Sequence, residues 1–333
     1  MVPSPKHHYK KLESFSRHTE GLDKYLCHIL GPKFTEYRQV WSRIGIGKTV
    51  ADFPLFPVVE TKFACNLKCR ICHKSDNETR RSLQYAEILS MGLFKRIVDE
   101  MADYRCPSLG LNNNNEPLLD PFILERIAYA SQKGIMDTIM HTNAILLSDD
   151  CSRSLVENRL TRLLISLDAA NASTFTKIRG NYFEKILDNI ESFLKIRDKA
   201  GTGLPVLRLS FCVNRLNEHE QEEFLDAWKD VADEIVFQRY TPPVKKPQYT
   251  DLYPESRTEM HFSCTQPFER AVIRGNGDVY PCCFQSMAFP AGNIKTQTLY
   301  DIWHSPKFDE YRRITREEDW NANPSCRACS KIR

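Results

Sequence analysis

Seven of the 12 cysteines fall into two groups whose spacing suits metal binding. The first is a C-x3-C-x2-C cluster formed by Cys65, Cys69 and Cys72. Three thiolates on one short loop can bind three irons of a cubane 4Fe-4S cluster and leave the fourth iron open to another ligand. A zinc site completed by His73 or Cys106 is the alternative, because tetrahedral zinc accepts three thiolates and an imidazole, or four thiolates.

The second group lies near the C-terminus and consists of Cys264, Cys282 and the C-x2-C pair Cys326 and Cys329. Four thiolates can coordinate every iron of a second 4Fe-4S cluster. A structural zinc bound by the same four thiolates is the alternative, because C-x2-C pairs are common in zinc ribbons. The remaining cysteines are expected to be small buried hydrophobic residues, and only Cys212 has a position that could serve chemistry.

The elements that must position the first group lie between residues 58 and 240, where short apolar runs alternate with amphipathic segments. This alternation predicts an α/β fold with a parallel sheet built from strand-helix units. Six strands are expected, at residues 58–64, 108–112, 137–142, 162–167, 205–213 and 234–239. Five helices are expected, at residues 83–104, 122–133, 148–158, 183–199 and 218–231. The first cysteine group then lies on the loop after the first strand.

The pattern changes in the last part of the chain, residues 241–333, which begins with a proline-rich connector. Strand-like runs at residues 270–274 and 278–284 are joined through Gly275-Asn276-Gly277, which predicts a β-hairpin. A helix is expected at residues 299–314. We therefore expect a small α+β domain that carries the second cysteine group.

Residues 1–57 form an N-terminal extension with expected helices at 9–30 and 33–43, which we interpret as an accessory lid or a partner surface. Across the whole chain, hydrophobic residues make up 41%, charged residues 27%, and the formal net charge is +3. This is ordinary globular composition and does not favour nucleic acid as a partner. The sequence shows neither a secretion signal nor a membrane span, so we expect a cytoplasmic location, where thiols stay reduced.

The C-x3-C-x2-C loop after the first strand resembles the defining motif of the radical S-adenosylmethionine (SAM) superfamily, and the resemblance extends over residues 57–240. It implies a partial (β/α)6 barrel in which the open iron binds SAM. In that family an electron from the cluster cleaves SAM to methionine and a 5′-deoxyadenosyl radical, while the protein positions and shields the reactants. The resemblance also implies an electron donor such as flavodoxin or ferredoxin as a partner.

Further matches to the family imply residues that bind SAM. Asn114, Asn115 and Glu116 stand where the family shows Gly-Gly-Glu, which implies that this segment holds the SAM ammonium group. Asparagine tolerates a left-handed backbone better than most residues, so it can replace glycine there. Asn143 follows Thr142 as in the family's Thr-Asn-Gly. The alternatives are an acid at a helix N-terminus for Glu116 and an ordinary turn for Asn143.

Ser166 and Asp168, at the end of the fourth predicted strand, resemble the Ser-x-Asp element that binds the SAM ribose in this family. Arg179 lies near the position of an arginine that contacts the SAM carboxylate in related enzymes, and the guanidinium fork suits a carboxylate. The alternative is a strand-end cap for the first two residues and a surface ion pair for Arg179.

The spacing of Cys264, Cys282, Cys326 and Cys329 resembles a twitch domain, a shortened SPASM domain with one auxiliary 4Fe-4S cluster. The strongest overall likeness is to twitch-bearing alcohol dehydrogenases of aminocyclitol antibiotic biosynthesis. It implies an oxidoreductase in which the 5′-deoxyadenosyl radical removes a hydrogen atom from a small polar, sugar-like substrate. The auxiliary cluster then accepts an electron.

Three other functions stay open from the sequence. A redox-neutral sugar epimerase would use Cys212, near the end of the fifth predicted strand, as its hydrogen donor, although core packing also explains a cysteine there. A peptide (RiPP) maturase often carries a winged-helix recognition domain, for which residues 1–57 are too short. A zinc-stabilised binding module without enzymatic activity is the third, but it would require the matches to radical SAM motifs at successive strand ends to be coincidental.

Overall fold

The computed structural model describes residues 14–83, 87–241, 247–254, 263–283 and 289–332. The strands in this part of the chain are β1 (Ser14–Ser16), β2 (Val58–Glu60), β3 (Ser108–Gly110), β4 (Asp137–Thr142), β5 (Arg162–Ser166), β6 (Val206–Val213), β7 (Glu234–Arg239), β8 (Val272–Arg274), β9 (Asp278–Tyr280) and β10 (Gly292–Asn293). They form one sheet in the order β1-β7-β6-β5-β4-β3-β2-β8-β9-β10.

Helices lie between and after these strands. They are α1 (Leu22–Leu30), α2 (Pro32–Gly47), α3 (Asn77–Leu83), α4 (Met91–Asp103), α5 (Ile123–Gln132), α6 (Asp149–Glu157), α7 (Ala172–Arg179), α8 (Phe183–Ala200), α9 (Gln221–Trp228), α10 (Pro247–Thr250), α11 (Gln266–Glu269), α12 (Leu299–Trp303), α13 (Pro306–Glu317) and α14 (Pro324–Ile332). None of the described helices combines the length and apolar character needed to cross a membrane.

Strands β2 to β7 are parallel and neighbour one another in chain order, as a partial (β/α)6 barrel requires. All six predicted strands are present, and the predicted α/β fold class is confirmed. The two ends of this parallel run pair with β8 and β1 rather than with each other. The carboxyl ends of all six strands lie at one edge of the sheet, which is where barrel enzymes place their active sites.

The helices pack apolar faces onto this sheet. In α8, Ile186, Ile190 and Phe193 recur at helical spacing and are fully buried. On β6, Leu209 and Phe211 are fully buried on one face. Burial of each such side chain stabilises the fold by about 1.5–3 kcal/mol relative to exposure.

Several predicted helices are shorter than expected, and five short helices were not predicted. The helix predicted at 83–104 begins only at Met91, because the Ser90 hydroxyl accepts a hydrogen bond from the Leu93 amide (3.2 Å) and caps the helix there. Helices α3, α7, α10, α11 and α14 were not predicted, because each is shorter than ten residues and so offers few positions at which a helical period can be recognised.

The N-terminal extension covers the amino ends of the barrel strands. Residues 14–16, predicted as helix, instead form β1 and pair with β7. Asp23 of α1 pairs with Arg162 at the start of β5 (3.2 Å), and the Tyr37 hydroxyl of α2 donates to Ser108 at the start of β3 (3.2 Å). These contacts place the described part of the extension at the edge opposite the cysteine loop, and its interpretation as an accessory lid or a partner surface stays a prediction.

The C-terminal part continues the barrel sheet. Its predicted hairpin is present as β8 and β9, and β8 pairs in parallel with β2. The predicted helix at 299–314 is two helices, because Pro306 begins α13 and the Ser305 hydroxyl caps it. The Glu100 carboxylate of α4 accepts the first two amides of α12, at 2.9 and 2.8 Å, so this part is attached firmly to the barrel.

Candidate active site

The loop after β2 carries the first cysteine group and is anchored at both ends. The amide of Glu116 donates to the carbonyl of Ala64 at 2.8 Å, and the Arg70 amide donates to the carbonyl of Ile178 in α7 at 2.8 Å. Within the loop, the Cys72 amide donates to the Cys69 carbonyl at 2.9 Å. The loop is therefore held between the end of β3 and the end of α7.

The three thiols of this loop lie close enough to influence one another. Burial raises the pKa of Cys69 to about 11, and the neighbouring Cys72 and Cys65 add to the rise while Arg179 opposes it. Burial also raises the pKa of Cys72. A raised pKa favours the protonated thiol, so cluster binding by Cys69 and Cys72 would release protons, as thiolate coordination generally does.

A cavity of about 380 Å3 opens beside this loop at the carboxyl edge of the sheet. All three cysteines line it, together with six of the residues predicted to bind SAM: Asn114, Asn115, Glu116, Asn143, Ser166 and Arg179. Thiolate donors and polar side chains thus face one space, which is the donor set that a three-cysteine cluster with bound SAM requires. Asp168 and Cys212 do not line this cavity.

Glu116 is 3% exposed and links the ends of β3 and β4. Its carboxylate accepts hydrogen bonds from the Thr142 hydroxyl (2.6 Å), the Asn143 amide (2.8 Å) and the Leu118 amide (3.2 Å). Burial raises the pKa of Glu116, and these hydrogen bonds oppose the rise. By accepting the hydrogen bond from Leu118, Glu116 caps a short 3-10 turn. Glu116 therefore both caps this turn, which was the alternative role, and lines the cavity.

Asp168 lies behind Arg179 rather than on the cavity wall. Arg179 Nε donates to Asp168 Oδ2 at 2.6 Å, and the Cys212 amide donates to Asp168 Oδ1 at 2.6 Å. Both carboxylate oxygens are thus engaged, and Asp168 is 1% exposed. The surface ion pair considered for Arg179 is in fact a buried one, and it orients the guanidinium at the cavity.

His141 lines the cavity and was missed from the sequence. Its ring Nε2 lies 3.3 Å from the Ser210 hydroxyl, and its backbone amide donates to the Asn112 side chain at 2.8 Å. Burial lowers the pKa of His141 to about 3, so the imidazole is neutral. The sequence feature that could have identified His141 is its position immediately before the Thr142-Asn143 pair, on the interior face of β4.

Cys212 lies on the interior face of β6. Arg208 and Cys212 are half-buried, whereas Leu209 and Phe211 on the other face of the strand are fully buried. Burial raises the pKa of the Cys212 thiol. The side chain therefore shares a face with Ser210, the partner of His141, but it stays outside the cavity lining.

A further pair beside the cysteine loop was also missed. Lys74 lines the cavity, is 6% exposed, and places its Nζ 3.6 Å from the centre of the Phe63 ring. Burial lowers the pKa of Lys74, and nearby Glu60 opposes this shift. Glu60 is fully buried and accepts a hydrogen bond from the Asn114 amide, so it also fixes the start of the asparagine-rich segment.

In the C-terminal part, three of the four predicted ligands lie together. Burial, with smaller contributions from Cys264 and Cys329, raises the pKa of Cys326 to about 12. Cys326 and Cys329 are one turn apart on α14, and Cys282 follows shortly after β9. In the described ranges, no three His, Cys, Asp or Glu side chains are grouped to bind a single metal ion. A cubane cluster differs from such a site because it distributes its thiolates over separate irons.

Comparison with known families covers both cysteine groups. A model described as the radical SAM superfamily matches residues 59–231, which is more than half of the chain. A second model, described as an iron-sulfur cluster-binding domain (SPASM), matches residues 264–330. The first match includes the loop with the three cysteines, and the second includes all four C-terminal ones.

Individual relatives are more distant. The chain is 22% identical over 317 residues to the tungsten-containing aldehyde ferredoxin oxidoreductase cofactor-modifying protein of Pyrococcus furiosus, covering 82% of this chain and 86% of that protein. It is 31% identical over 169 residues to a probable GTP 3′,8-cyclase of Saccharolobus solfataricus. That match covers 49% of each protein, so the chain spans about half the length of this relative.

Solved structures share the fold. BtrN in complex with AdoMet and 2-DOIA superposes with a TM-score of 0.55 at 18% identity, covering 84% of this chain and 93% of BtrN. Streptococcus suis SuiB bound to precursor peptide SuiA gives a TM-score of 0.66 at 15% identity, covering 89% of this chain and 75% of SuiB. The chain therefore belongs to the radical SAM superfamily, with a 4Fe-4S cluster and SAM as cofactors and a C-terminal domain for an auxiliary iron-sulfur cluster.

Proposed function

We propose that this radical SAM enzyme is an oxidoreductase that removes a hydrogen atom from a small polar substrate of the sugar or aminocyclitol class. The observation that carries the proposal is the lining of the cavity beside the cysteine loop. Apart from the cysteines and the residues predicted to bind SAM, it consists mainly of neutral groups that donate or accept hydrogen bonds, namely Asn112, Asn113, His141, Thr142 and Thr241. Such a surface suits hydroxyl and amino groups.

In this proposal, Cys65, Cys69 and Cys72 hold the SAM-binding cluster. The cluster and SAM, when bound, supply the 5′-deoxyadenosyl radical. The chain's own residues orient SAM: Glu116 accepts from its ammonium group, and Arg179, held by Asp168, donates to its carboxylate. Burial of these groups excludes water, which strengthens both interactions.

Ser166 and Asn143 complete the proposed SAM site. Ser166 ends β5 and Asn143 follows β4, so neighbouring parallel strands deliver both side chains to the same edge. The hydroxyl of Ser166 is placed to bind the SAM ribose. Asp168, which the resemblance also assigned to the ribose, has both oxygens engaged, so we assign it the positioning of Arg179 instead.

The C-terminal cysteines support the oxidative reaction. Cys264, Cys282, Cys326 and Cys329 are enough to coordinate all irons of the auxiliary cluster, which leaves that cluster free for electron transfer rather than substrate ligation. The domain that carries them is joined to the barrel by strand pairing and by the Glu100 cap on α12. A fixed attachment of this kind suits an electron acceptor that must stay near the substrate.

The relatives differ in what their names say they act on. BtrN was solved with 2-DOIA, which agrees with a small polar ligand, whereas SuiB was solved with a peptide. The relative aligned over most of both chains is named a cofactor-modifying protein. We rank the small polar substrate first because of the cavity lining, and the substrate screen must include the other two classes.

Epimerisation is the second candidate, favoured by the interior position of Cys212 on β6. A thiol on this face could return a hydrogen atom to a substrate radical. The two reactions differ in mass balance, since oxidation removes two hydrogens and epimerisation removes none. They also differ in the need for Cys212.

The test is anaerobic incubation of the reconstituted protein with SAM, a reductant and candidate cyclitols, aminocyclitols and glycosides. Oxidation predicts 5′-deoxyadenosine together with a product two mass units lighter than the substrate. A product of unchanged mass that gains one deuterium from heavy water would replace oxidation with epimerisation. Turnover confined to peptides or to a metal cofactor would contradict the proposed substrate class.

A further inference from the structure

Two of the three cysteines proposed to bind the SAM cluster have a side-chain nitrogen donor directed at their sulfur. The Asn143 Nδ2 donates to Cys65 Sγ at 3.9 Å. The Arg179 Nη1 donates to Cys69 Sγ at 3.7 Å. Sulfur is a weak acceptor and accepts hydrogen bonds at longer distances than oxygen does, so both contacts are weak hydrogen bonds.

The third sulfur has a backbone donor. The Lys74 amide donates a hydrogen bond to the Cys72 sulfur. The Lys74 ammonium, which lies over the Phe63 ring at 3.6 Å, places a positive charge near the same sulfur. Each sulfur of the loop is therefore matched to one N–H group.

The Arg179 donor is rigidly held. Its Nε donates to Asp168 Oδ2 at 2.6 Å, and the other oxygen of Asp168 accepts the Cys212 amide at 2.6 Å. The Arg179 side chain is only 12% exposed. The guanidinium therefore cannot swing away when the charge on the neighbouring sulfur changes.

The Asn143 donor is held equally well. Its Nδ2 also donates to the Asn66 side chain at 2.7 Å, and its Oδ1 accepts the Ile145 amide at 3.1 Å. Its backbone amide donates to Glu116 at 2.8 Å. The side chain is therefore fixed by groups on both the β2 and the β4 loops.

We propose that these donors, with Arg179 as the strongest, set the reduction potential of the SAM-binding cluster. The inference rests on the proposed assignment of Cys65, Cys69 and Cys72 as its ligands. Reduction adds one negative charge, part of which resides on the cysteine sulfurs, so a nearby N–H group or cation stabilises the reduced state more than the oxidised state. Hydrogen bonds to the sulfurs and local charge are established determinants of such potentials.

The test compares Arg179→Met and Arg179→Lys with the wild type in cluster-loaded protein, without SAM, by redox titration followed by electron paramagnetic resonance. The signal that changes when SAM is added to the wild type identifies the relevant cluster. We expect Arg179→Met to lower the equilibrium constant for reduction about tenfold, which for one electron is about 59 mV. Arg179→Lys keeps the positive charge, so its equilibrium constant for reduction should lie between those of the wild type and Arg179→Met.

A matched control is Arg162→Met, because Arg162 is also a buried guanidinium paired with an aspartate, Asp137, at 2.7 Å. It lies at the start of β5, away from the cysteines, so the cluster potential should equal that of the wild type. A second test variant is Asn143→Leu, which removes a neutral donor and should lower the constant by less than Arg179→Met does. If Arg179→Met fails to retain iron, the equilibrium constant for reduction measured in Asn143→Leu tests the inference instead.

An equilibrium constant within twofold of the wild type in Arg179→Met, or in Asn143→Leu where the arginine variant loses iron, would overturn the inference. A SAM-responsive signal that survives replacement of all three loop cysteines by alanine would overturn both the inference and the ligand assignment. A shifted potential without any oxidised product would leave the inference standing and remove only the proposed function.

Discussion

Replacing Glu116 by glutamine tests how the chain binds SAM. The variant keeps the size of the side chain but removes the negative charge proposed to accept from the SAM ammonium group. A hydrogen bond to a charged group contributes about 1.5–3 kcal/mol, so SAM affinity should fall about ten- to hundredfold. Cluster content should not change, because Glu116 contacts no cysteine side chain in the described hydrogen bonds.

The structure also predicts a cost in stability that must be separated from the loss of affinity. The Glu116 carboxylate accepts from Thr142, Asn143 and Leu118. Glutamine retains one acceptor oxygen but turns an NH2 group toward a donor, so one buried N–H loses its partner at a cost of about 1–3 kcal/mol. Alanine would leave all three donors unpaired and cost more. The glutamine variant is therefore the cleaner probe of SAM binding.

Glu220→Gln provides the matched control. Glu220 is also a buried carboxylate, 2% exposed, that accepts from the Ala170 amide at 2.8 Å and the Asn171 side chain at 3.0 Å. It lies near the carboxyl ends of the strands but does not line the cavity. A similar loss of stability with unchanged SAM affinity is expected for this variant.

The assay is anaerobic calorimetric titration of SAM into cluster-loaded protein, combined with thermal unfolding. Burial raises the pKa of Glu116, so wild-type affinity should decline as the pH falls through that raised value and the carboxylate gains a proton. The glutamine variant should show no such decline. Wild-type affinity in Glu116→Gln, or an equal loss in Glu220→Gln, would refute the placement of Glu116 in the SAM site.

Three further predictions concern the metal, the thiol and the imidazole. Replacing the first cysteine group by alanine should leave iron for one cluster and abolish 5′-deoxyadenosine release, as shown by iron analysis and chromatography; zinc as the dominant metal in the wild type would contradict this. Cys212→Ala should retain turnover if the reaction is oxidation, and should stall after 5′-deoxyadenosine release if it is epimerisation, as mass spectrometry will show. His141→Phe should weaken the acid sensitivity of folding. The pKa of His141 is lowered from 6.5 to about 3, so between these values the unfolded chain binds a proton that the folded chain does not. Wild-type stability should therefore fall as the pH falls, by up to about 1.4 kcal/mol per pH unit, and urea unfolding of the cluster-free protein will measure the difference.

The barrel was predictable because its elements are encoded locally. Each of the strands β2 to β7 is a short apolar run, and amphipathic helices lie between them. This alternation of strands and helices along the chain predicts a parallel sheet. The hairpin of β8 and β9 was predictable from its Gly-Asn-Gly turn. The pairing of β8 with β2 was not, because it joins residues more than 200 positions apart and no local pattern specifies such a partner.

The N-terminal extension shows the same limit. Its helices were expected, but residues 14–16 pair with β7 because their backbone completes an exposed sheet edge, which local helix propensity cannot foresee. Asp23 and Tyr37 look like ordinary polar residues on amphipathic helices. Only the fold shows that they contact Arg162 and Ser108 at the amino ends of the strands. The described part of the extension therefore packs against the amino end of the barrel.

Three residues that stand at the family's glycine positions, in two motifs, show that a motif predicts where a residue lies better than it predicts its backbone conformation. Asn114 and Asn115 do not use the left-handed backbone that asparagine tolerates, since neither is among the residues with positive φ. Ala144, which stands where the family shows the glycine of Thr-Asn-Gly, does have a left-handed φ of 59°. An L-residue pays about 1–3 kcal/mol for such a conformation, so the surrounding contacts must hold it.

Those contacts are visible around Ala144. Its amide donates to the Thr142 hydroxyl at 3.0 Å, its carbonyl accepts from the Asn189 side chain at 2.7 Å, and its methyl group is fully buried. The same Thr142 hydroxyl donates to Glu116, so the turn after β4 and the carboxylate of the proposed SAM site are fixed by one shared group. The left-handed turn at Ala144 and the orientation of Glu116 therefore depend on each other through the Thr142 hydroxyl.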